Sequence, residues 1–196
     1  MDQEMLNKMA EPIKTFRLPR YHEIPNVGLY LEQVTKYISE CFAPLMRDAI
    51  TSSMIANYVK RGLLSNPVKK QYSREQIAYL IYISTIKTVL SMEDIRLMIS
   101  VQQHTYIPQI AYDYFCSELE NVLFFIFGLK DTMEKLGSTQ SDEKDMLSNL
   151  IYSAAIVIHM NARFNAVRTE HETTAMNFIL RMKNSLSLRR SSNSPA

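Results

Sequence analysis

The chain has 196 residues, 46% of them hydrophobic and 21% charged, which is enough for one sizeable domain or two small ones. Its longest apolar runs, Val122–Leu129 and Ala154–Ile158, are far shorter than the roughly 20 residues of a membrane-spanning helix. The N-terminus mixes acidic and apolar residues and does not resemble a signal peptide, so we expect a cytoplasmic protein without a membrane partner.

The net charge of +2 is distributed unevenly along the chain. Residues 51–74 contain five basic side chains and no acidic one, whereas residues 93–148 contain four basic and ten acidic side chains. A basic patch within a nearly neutral chain indicates an anionic partner more specifically than a high isoelectric point does.

Helical spacing of apolar residues dominates the sequence, which predicts an all-α fold. We expect residues 1–15 to be loosely ordered, and Pro19 and Pro25 favour an extended lead-in. Apolar residues beginning with Val27 then repeat on one face and predict a first helix over about 27–43.

A short second helix is predicted over about 52–61, with Thr51 as its N-cap. Gly62 is expected to end it in the left-handed conformation. At 100° per residue the outward face carries Ser53, Asn57, Lys60 and Arg61.

Residues 64–72 predict a short turn with a minimal two-stranded wing, and Lys69 and Lys70 lie at its tip. The sequence "SREQ", beginning at Ser73, is a capping box for a third helix that extends to about residue 89. This helix is apolar on nearly all sides, so we expect it to be the buried centre of the domain.

Ser91 is the predicted N-cap of a fourth helix, and a further helix follows Pro108 and ends near Gly128. From a polar loop at about 137–145 the pattern stays helical to about residue 184, in one helix or in two with a break near 165–172.

These elements predict a helix-turn-helix domain over 16–104, a C-terminal helical region over 105–185 for dimerisation or sensing, and a disordered tail over 186–196.

No motif in the sequence indicates enzymatic chemistry. The four glycines are too scattered for a P-loop or a dinucleotide fingerprint, and the four histidines form no metal-binding signature. Cys41 and Cys116 lie far apart and are expected to be reduced thiols. The prediction is therefore a protein that is not an enzyme and that needs neither a cofactor nor a metal.

The stretch from about Ile50 to Ile99 resembles a shortened MerR-type winged helix-turn-helix. The matching features are, in order, "SSMIANYVKRGLL", the basic wing "NPVKK", Tyr72, and the two helices "REQIAYLIYISTI" and "SMEDIRLMI". A closer similarity covers about residues 16–99 and points to a bacterial family known only as a domain of unknown function. It rests on "LPRYHEIPNVGLYLEQVTKYI", "ITSSMIANYVKRGLL" and "VKKQYSREQIAYL".

The resemblance implies a MerR-like fold, with a recognition helix over about 52–61 and a wing over about 64–72. MerR recognition helices usually carry an Arg and a Tyr where this chain has Ala56 and Asn57. The fold is therefore transferred, and the base contacts of the larger family are not.

The outward helix face and the basic turn together predict a DNA-binding transcriptional regulator. Asn can read adenine, and Arg or Lys can read guanine, in the major groove. The predicted DNA-binding residues are Ser53, Asn57, Lys60, Arg61, Lys69, Lys70 and Arg74. The predicted partners are double-stranded DNA and a second copy of the chain, bound through the C-terminal helices.

Three alternatives remain open at this stage. The basic residues could be ordinary solvated surface charges. The chain could be a protein-interaction module that keeps a helix-turn-helix shape without binding DNA. A pocket among the C-terminal helices could sense an unidentified small-molecule effector, with walls drawn from Tyr112, Tyr114, Phe115, Phe124, Phe125 and Phe127, although aromatic residues at this spacing more often form a core.

Overall fold

A computed structural model describes residues 3–45, 49–136 and 141–191. Within these residues, helices follow one another with two short strands between them, as the sequence predicts for an all-α chain. The elements are α1 (Gln3–Ala10), β1 (Leu29–Tyr30), α2 (Leu31–Phe42), α3 (Ser52–Lys60), β2 (Gln71–Tyr72), α4 (Arg74–Ile86), α5 (Met92–Thr105), α6 (Pro108–Ile126) and α7 (Asp142–Ser191). None of these helices combines the length and the apolar character that a membrane crossing requires.

The chain divides into two compact units, Met1–His159 and Met160–Ala196. The division that the sequence predicts between residues 104 and 105 stays a prediction. Helix α6, which follows that position, packs against α4 and the lead-in.

Helix α4 is the buried centre of the first unit, as predicted. Its fully buried side chains come from all around the helix: Ile77, Leu80, Ile81, Ile83 and Ile86. The neighbouring helices α2 and α6 pack against α4, which explains why no face of it is polar. The helix ends at Ile86, three residues before the predicted end.

The N-terminal residues are more ordered than the sequence suggests. Residues 3–10 form α1, and the segment after it buries Ile13, Phe16, Leu18 and Ile24 almost completely. The expectation of loose order fails because these apolar side chains, although they show no long periodic pattern, are covered by the rest of the unit.

The first predicted helix begins four residues late, at Leu31. Residues 29–30 instead form β1, which pairs antiparallel with β2 through Leu29↔Tyr72 and Tyr30↔Gln71. Val27 is therefore 70% exposed and does not belong to the inward face. A side chain at Gly28 would place its Cβ 2.7 Å from Cβ of Gln71, so the close strand approach needs a glycine there.

The predicted wing differs in the same way. Residues 64–72 hold one internal pairing, the bridge Val68↔Gln71, and β2 takes its strand partner from before α2. The wing is thus a tight turn attached to a two-stranded sheet, and it is not an independent hairpin.

The later helices follow the sequence more closely. Ser91 caps α5 by accepting a hydrogen bond from the Asp94 N–H at 3.2 Å, and Gly128, with φ of +71°, follows α6 as expected. Helix α7 has no break at 165–172. It continues to Ser191, so residues 186–191 are helical where a disordered tail was expected, and residues 192–196 lie outside the described part of the chain.

Candidate nucleic-acid interface

Helix α3 has well-defined ends, as the sequence predicts. The Thr51 hydroxyl accepts a hydrogen bond from the Met54 N–H at 3.2 Å. At the other end Gly62 has φ of +71°, and the Leu63 N–H donates to the Tyr58 carbonyl at 2.9 Å. These two hydrogen bonds satisfy backbone groups at both ends of α3. Without them, the terminal N–H and C=O groups of the helix would bind only water.

The inward face of α3 buries Ile55 and Tyr58, and this burial fixes which side chains point to solvent. The exposed residues are the predicted ones: Ser53, Asn57, Lys60 and Arg61. Around the helix axis Ser53, Asn57 and Lys60 lie within a narrow sector, and Arg61 lies beside it. The face is polar and presents short and long side chains together.

Two side chains from other helices hold α3 in place. Arg96 of α5 donates a hydrogen bond to the carbonyl of Arg61, which follows the last helical residue. Lys87, at the end of α4, donates to the Ala49 carbonyl just before α3, and burial lowers its pKa. The helix is therefore anchored at both ends by residues outside it, and its outer face is left unobstructed.

The tip of the turn has an unusual backbone. Lys69 and Lys70 have φ of 50° and 64°, and the Gln71 N–H donates to the Val68 carbonyl at 2.9 Å. Positive φ at both central positions is a conformation that normally selects Asn and Gly, because a side chain there costs roughly 1–2 kcal/mol per residue. Both lysine side chains are exposed at this tip.

Helix α3 and strand β2 both pack against α2, so the helix and the lysine turn adjoin the same element. The segment between them is tied down by Gln76, whose side-chain amide donates to the Ser65 carbonyl at 2.8 Å. We define the candidate DNA surface as Ser53, Asn57, Lys60, Arg61, Lys69 and Lys70.

The side chain of Arg74, unlike these residues, is held by contacts within the protein. Its Nε donates to the Ile24 carbonyl at 2.8 Å, and its guanidinium lies 5.8 Å from the ring centroid of Tyr21. The side chain therefore holds the lead-in against the start of α4.

The charges of the candidate DNA surface are not neutralised within the protein. Lys60, Arg61, Lys69 and Lys70 form no ion pair with any residue in the described ranges. Some basic residues elsewhere in the first unit do have acidic partners, for example Lys36 with Glu40 at 3.8 Å. Unpaired, clustered cations on one surface attract an anionic partner.

Burial affects both thiols of the chain. Burial raises the pKa of Cys41 to about 11 and that of Cys116 to about 12, so both thiols stay protonated and are poor nucleophiles. Among the described residues no three His, Cys, Asp or Glu side chains are grouped as a metal site would require.

The sequence gives no sign of the anchors Arg96 and Lys87. Both contacts join residues more than 30 positions apart through backbone carbonyls, and a carbonyl acceptor has no side-chain identity that a sequence could reveal. The sequence predicts a role for Arg74 from its charge alone. It does not reveal the backbone carbonyls to which the Arg74 guanidinium donates hydrogen bonds.

Residues 19–115 match the family model of a domain of unknown function (DUF1836). The match begins in the lead-in, contains α2 to α5 and extends into α6. This finding confirms the similarity to a domain of unknown function and carries it beyond the predicted limit at residue 99. No curated protein and no solved structure matches the chain.

Proposed function

We propose that the chain is a cytoplasmic DNA-binding transcriptional regulator with a MerR-like helix-turn-helix. Helix α3 lies in the major groove and the lysine turn lies on the phosphate backbone. The observation that carries this proposal is the set of four unpaired cations on one anchored helix and its neighbouring turn. Clustered cations of this kind supply most of the non-specific affinity for DNA.

Within this proposal the residues have different roles. Asn57 and Arg61 read base edges, because amide and guanidinium groups match adenine and guanine through two hydrogen bonds each. Ser53 and Lys60 border that contact on the same face. Lys69 and Lys70 bind phosphates, which fixes the register of the protein without reading sequence. Arg74 acts indirectly, by bracing the lead-in behind the turn.

The backbone of the lysine turn supports the assignment. An exposed turn tip is free to carry Asn or Gly, and two lysines at positive φ cost stability. Their side chains form no hydrogen bond or ion pair among the described residues that would offset this cost. Strain of this kind is concentrated at functional sites. A phosphate contact would explain why lysines occupy these two strained positions.

A homodimer is part of the proposal, because helix-turn-helix proteins bind two half-sites. In the second unit, Met160, Phe164 and Val167 are between 39% and 53% exposed, at spacings of four and three residues along α7. This spacing places three apolar side chains on one helix face, as in a helix–helix interface. Light scattering of the intact chain at micromolar concentration should give twice the monomer mass, and a monomer would contradict the dimer.

The proposal is tested by the anisotropy of a labelled pool of random 30-base-pair duplexes at several salt concentrations. The two phosphate contacts assigned to Lys69 and Lys70 would contribute about −1.8 per copy to the slope of log K against log salt, since each contact contributes about −0.9. Specific sites are then enriched from the pool by repeated selection. Wild-type protein that does not bind duplex at low salt would refute the DNA-binding proposal.

A second candidate function is a non-enzymatic interaction module that keeps the shape and has lost DNA binding. The observation that favours it is a group of apolar side chains on α5 and at the start of α6. Leu97, Ile107 and Ile110 are each 58% to 60% exposed. Absence of duplex binding, together with loss of a co-purifying protein on the triple change of these residues to Ser, would support this alternative.

A further inference from the structure

An apolar cavity of about 300 Å³ lies between α4, α5, α6 and the start of α7, inside the first unit. Its size is at the lower end of the range for small-molecule sites, about 300–1,000 Å³. No residue of the candidate DNA surface lines it. Aromatic side chains form much of its wall: Tyr79, Tyr82, Tyr106, Tyr112, Tyr114 and Phe115.

The charged groups in the lining leave a negative balance. Lys144 already donates to the Leu136 carbonyl at 2.6 Å and lies 5.4 Å from the ring centroid of Tyr114. Glu75 and Glu143 form no ion pair with the described residues. Hydrogen bonds from its own backbone N–H and from Ser141 lower the pKa of Glu143, so its carboxylate is ionised at neutral pH.

Two hydroxyls in the lining, those of Tyr82 and Tyr112, have no hydrogen-bond partner among the described residues. The ring of Tyr82 packs edge-on against Phe115 with 5.1 Å between centroids, and its hydroxyl has no hydrogen-bond partner among the described residues. The hydroxyl of Tyr79, by contrast, donates to the Gln102 side chain at 2.9 Å. Burial raises the pKa of Tyr82, so the phenol stays neutral and offers its oxygen lone pairs.

We propose that this cavity binds a small aromatic molecule that carries one positive charge. Tyrosine faces attract a cation through their π-electrons, and this attraction strengthens where water is excluded. The carboxylates of Glu75 and Glu143 complement the charge, the Tyr82 hydroxyl adds an acceptor to the same lining, and the apolar walls cover the ring of the ligand. The charged groups of the lining, Glu75, Glu143 and Lys144, sum to −1, which favours a cationic ligand over an anionic one.

The cavity is connected to the candidate DNA surface through α5. This helix contributes Met98, Val101, Gln102 and Thr105 to the wall, and its Arg96 binds the carbonyl at the end of α3. A ligand that shifts α5 against α4 therefore changes how α3 is held. This regulatory step rests on the proposed DNA-binding function, whereas ligand binding itself does not.

Calorimetric titration of the intact protein with phenyltrimethylammonium and with its uncharged isostere tert-butylbenzene tests the site. The cation should bind, and the double change Glu75→Gln with Glu143→Gln should weaken it about five-fold or more without affecting the isostere. Ala111→Phe, on the α6 wall, should fill the cavity and abolish binding of both, with thermal melting to confirm the fold. If that variant does not fold, Leu147→Phe fills the cavity from α7.

Several results would overturn the proposal. Binding of the isostere without the cation would refute the charge selection, and equal cation affinity in the filled variants would place binding elsewhere. If neither probe binds and Ala111→Phe converts a dimer into a monomer, then a second copy of the chain occupies the cavity instead.

The regulatory step is tested by repeating the duplex titrations with the cation present. The affinity of the wild type for DNA should change about five-fold or more, as is typical of coupled sites. Arg96→Ala should keep the calorimetric affinity for the cation and lose most of this effect. Unchanged DNA affinity with the cation bound would refute the coupling. A protein that binds the cation and no DNA would refute the proposed function alone.

Discussion

Two regions of the first unit use arginine and lysine in opposite ways. In the seam between the lead-in and α6, Arg20 forms two hydrogen bonds of 2.7 Å with Glu120, and the two side chains are only 21% and 13% exposed. The same carboxylate accepts the Leu18 N–H at 2.9 Å, and Asp113 accepts the Tyr21 N–H at 2.7 Å. On the candidate DNA surface the cations are exposed and have no acidic partner in the part of the chain that the structure describes.

The comparison separates basic side chains that already have partners within the fold from those that do not. Whether a charged side chain has such a partner is a better guide to function than its charge alone. Glu120 raises the pKa of Arg20 through its hydrogen bond, so that guanidinium is fully engaged within the protein. Arg74 lies within the basic stretch of the sequence and still belongs, by its contacts, with the seam. Lys60, Arg61, Lys69 and Lys70 form no ion pair among the described residues.

The largest effect is expected from breaking the seam with Glu120→Ala. The change leaves the half-buried Arg20 without its counter-charge and the Leu18 N–H without an acceptor. Removing one partner of a buried pair costs 3–5 kcal/mol, so about 2–4 kcal/mol is expected for this partly exposed one. The free energy of urea unfolding measures it.

The matched control is Glu40→Ala, which removes the partner of Lys36 in an exposed pair one helix turn apart. It should cost about 0.5 kcal/mol or less, since exposed pairs of this kind contribute little. Similar losses for Glu40→Ala and Glu120→Ala would mean that the seam is no more than a surface ion pair.

The second effect separates sequence readout from positioning. Asn57→Ala should cost about 1–3 kcal/mol at one base-pair position and relax the preference there. It should leave stability and salt slope unchanged, because the side chain is exposed and uncharged. The measurement is selection from the random duplex pool, and an unaltered sequence preference would remove Asn57 from the readout.

The double change Lys69→Ala with Lys70→Ala should have the complementary result. Two lost phosphate contacts lower the magnitude of the salt slope by about 1.8, while the sequence preference is kept. Lys36→Ala with Lys130→Ala is the matched control, because it removes two lysines that have acidic partners elsewhere. Equal slopes for the two double variants would show that the turn does not touch DNA.

The sequence predicts the parts of this molecule that depend on local physics. Capping residues such as Thr51 and Ser73, and the left-handed Gly62, act within a few positions, so their patterns are legible. The strand pairing of Leu29–Tyr30 with β2 joins residues about 40 positions apart through main-chain atoms. A strand of two residues is too short to show an alternating pattern in the sequence. For this reason the first helix was predicted to begin too early.

The candidate site divides in the same way. The outward face of α3 follows from helical geometry, and all four of its predicted residues are exposed. The hydrogen bonds of Arg74 and Arg96 depend on carbonyls that the tertiary fold brings near, so counting charges along the sequence reveals neither contact. The cavity has the same origin, since four separate helices supply its wall.

The smallest effect is expected at the turn itself, where Lys70→Gly should stabilise the fold and weaken DNA binding at once. Glycine relieves about 1–2 kcal/mol of left-handed strain but gains roughly 0.5–1 kcal/mol of freedom in the unfolded chain, which leaves about 0.5 kcal/mol of stabilisation. The salt slope should fall in magnitude by about 0.9. The reciprocal control is Gly62→Ala, which imposes a side chain at φ of +71°. Beyond its own chain neighbours, no atom of the described residues lies within 4 Å of the new Cβ. It should destabilise by about 1 kcal/mol through backbone strain alone.

Thermal melts and duplex titrations of both variants separate the two contributions. If Lys70→Gly lowers stability, the lysine must contribute contacts within the fold, and the turn would then belong with the seam and not with the DNA surface.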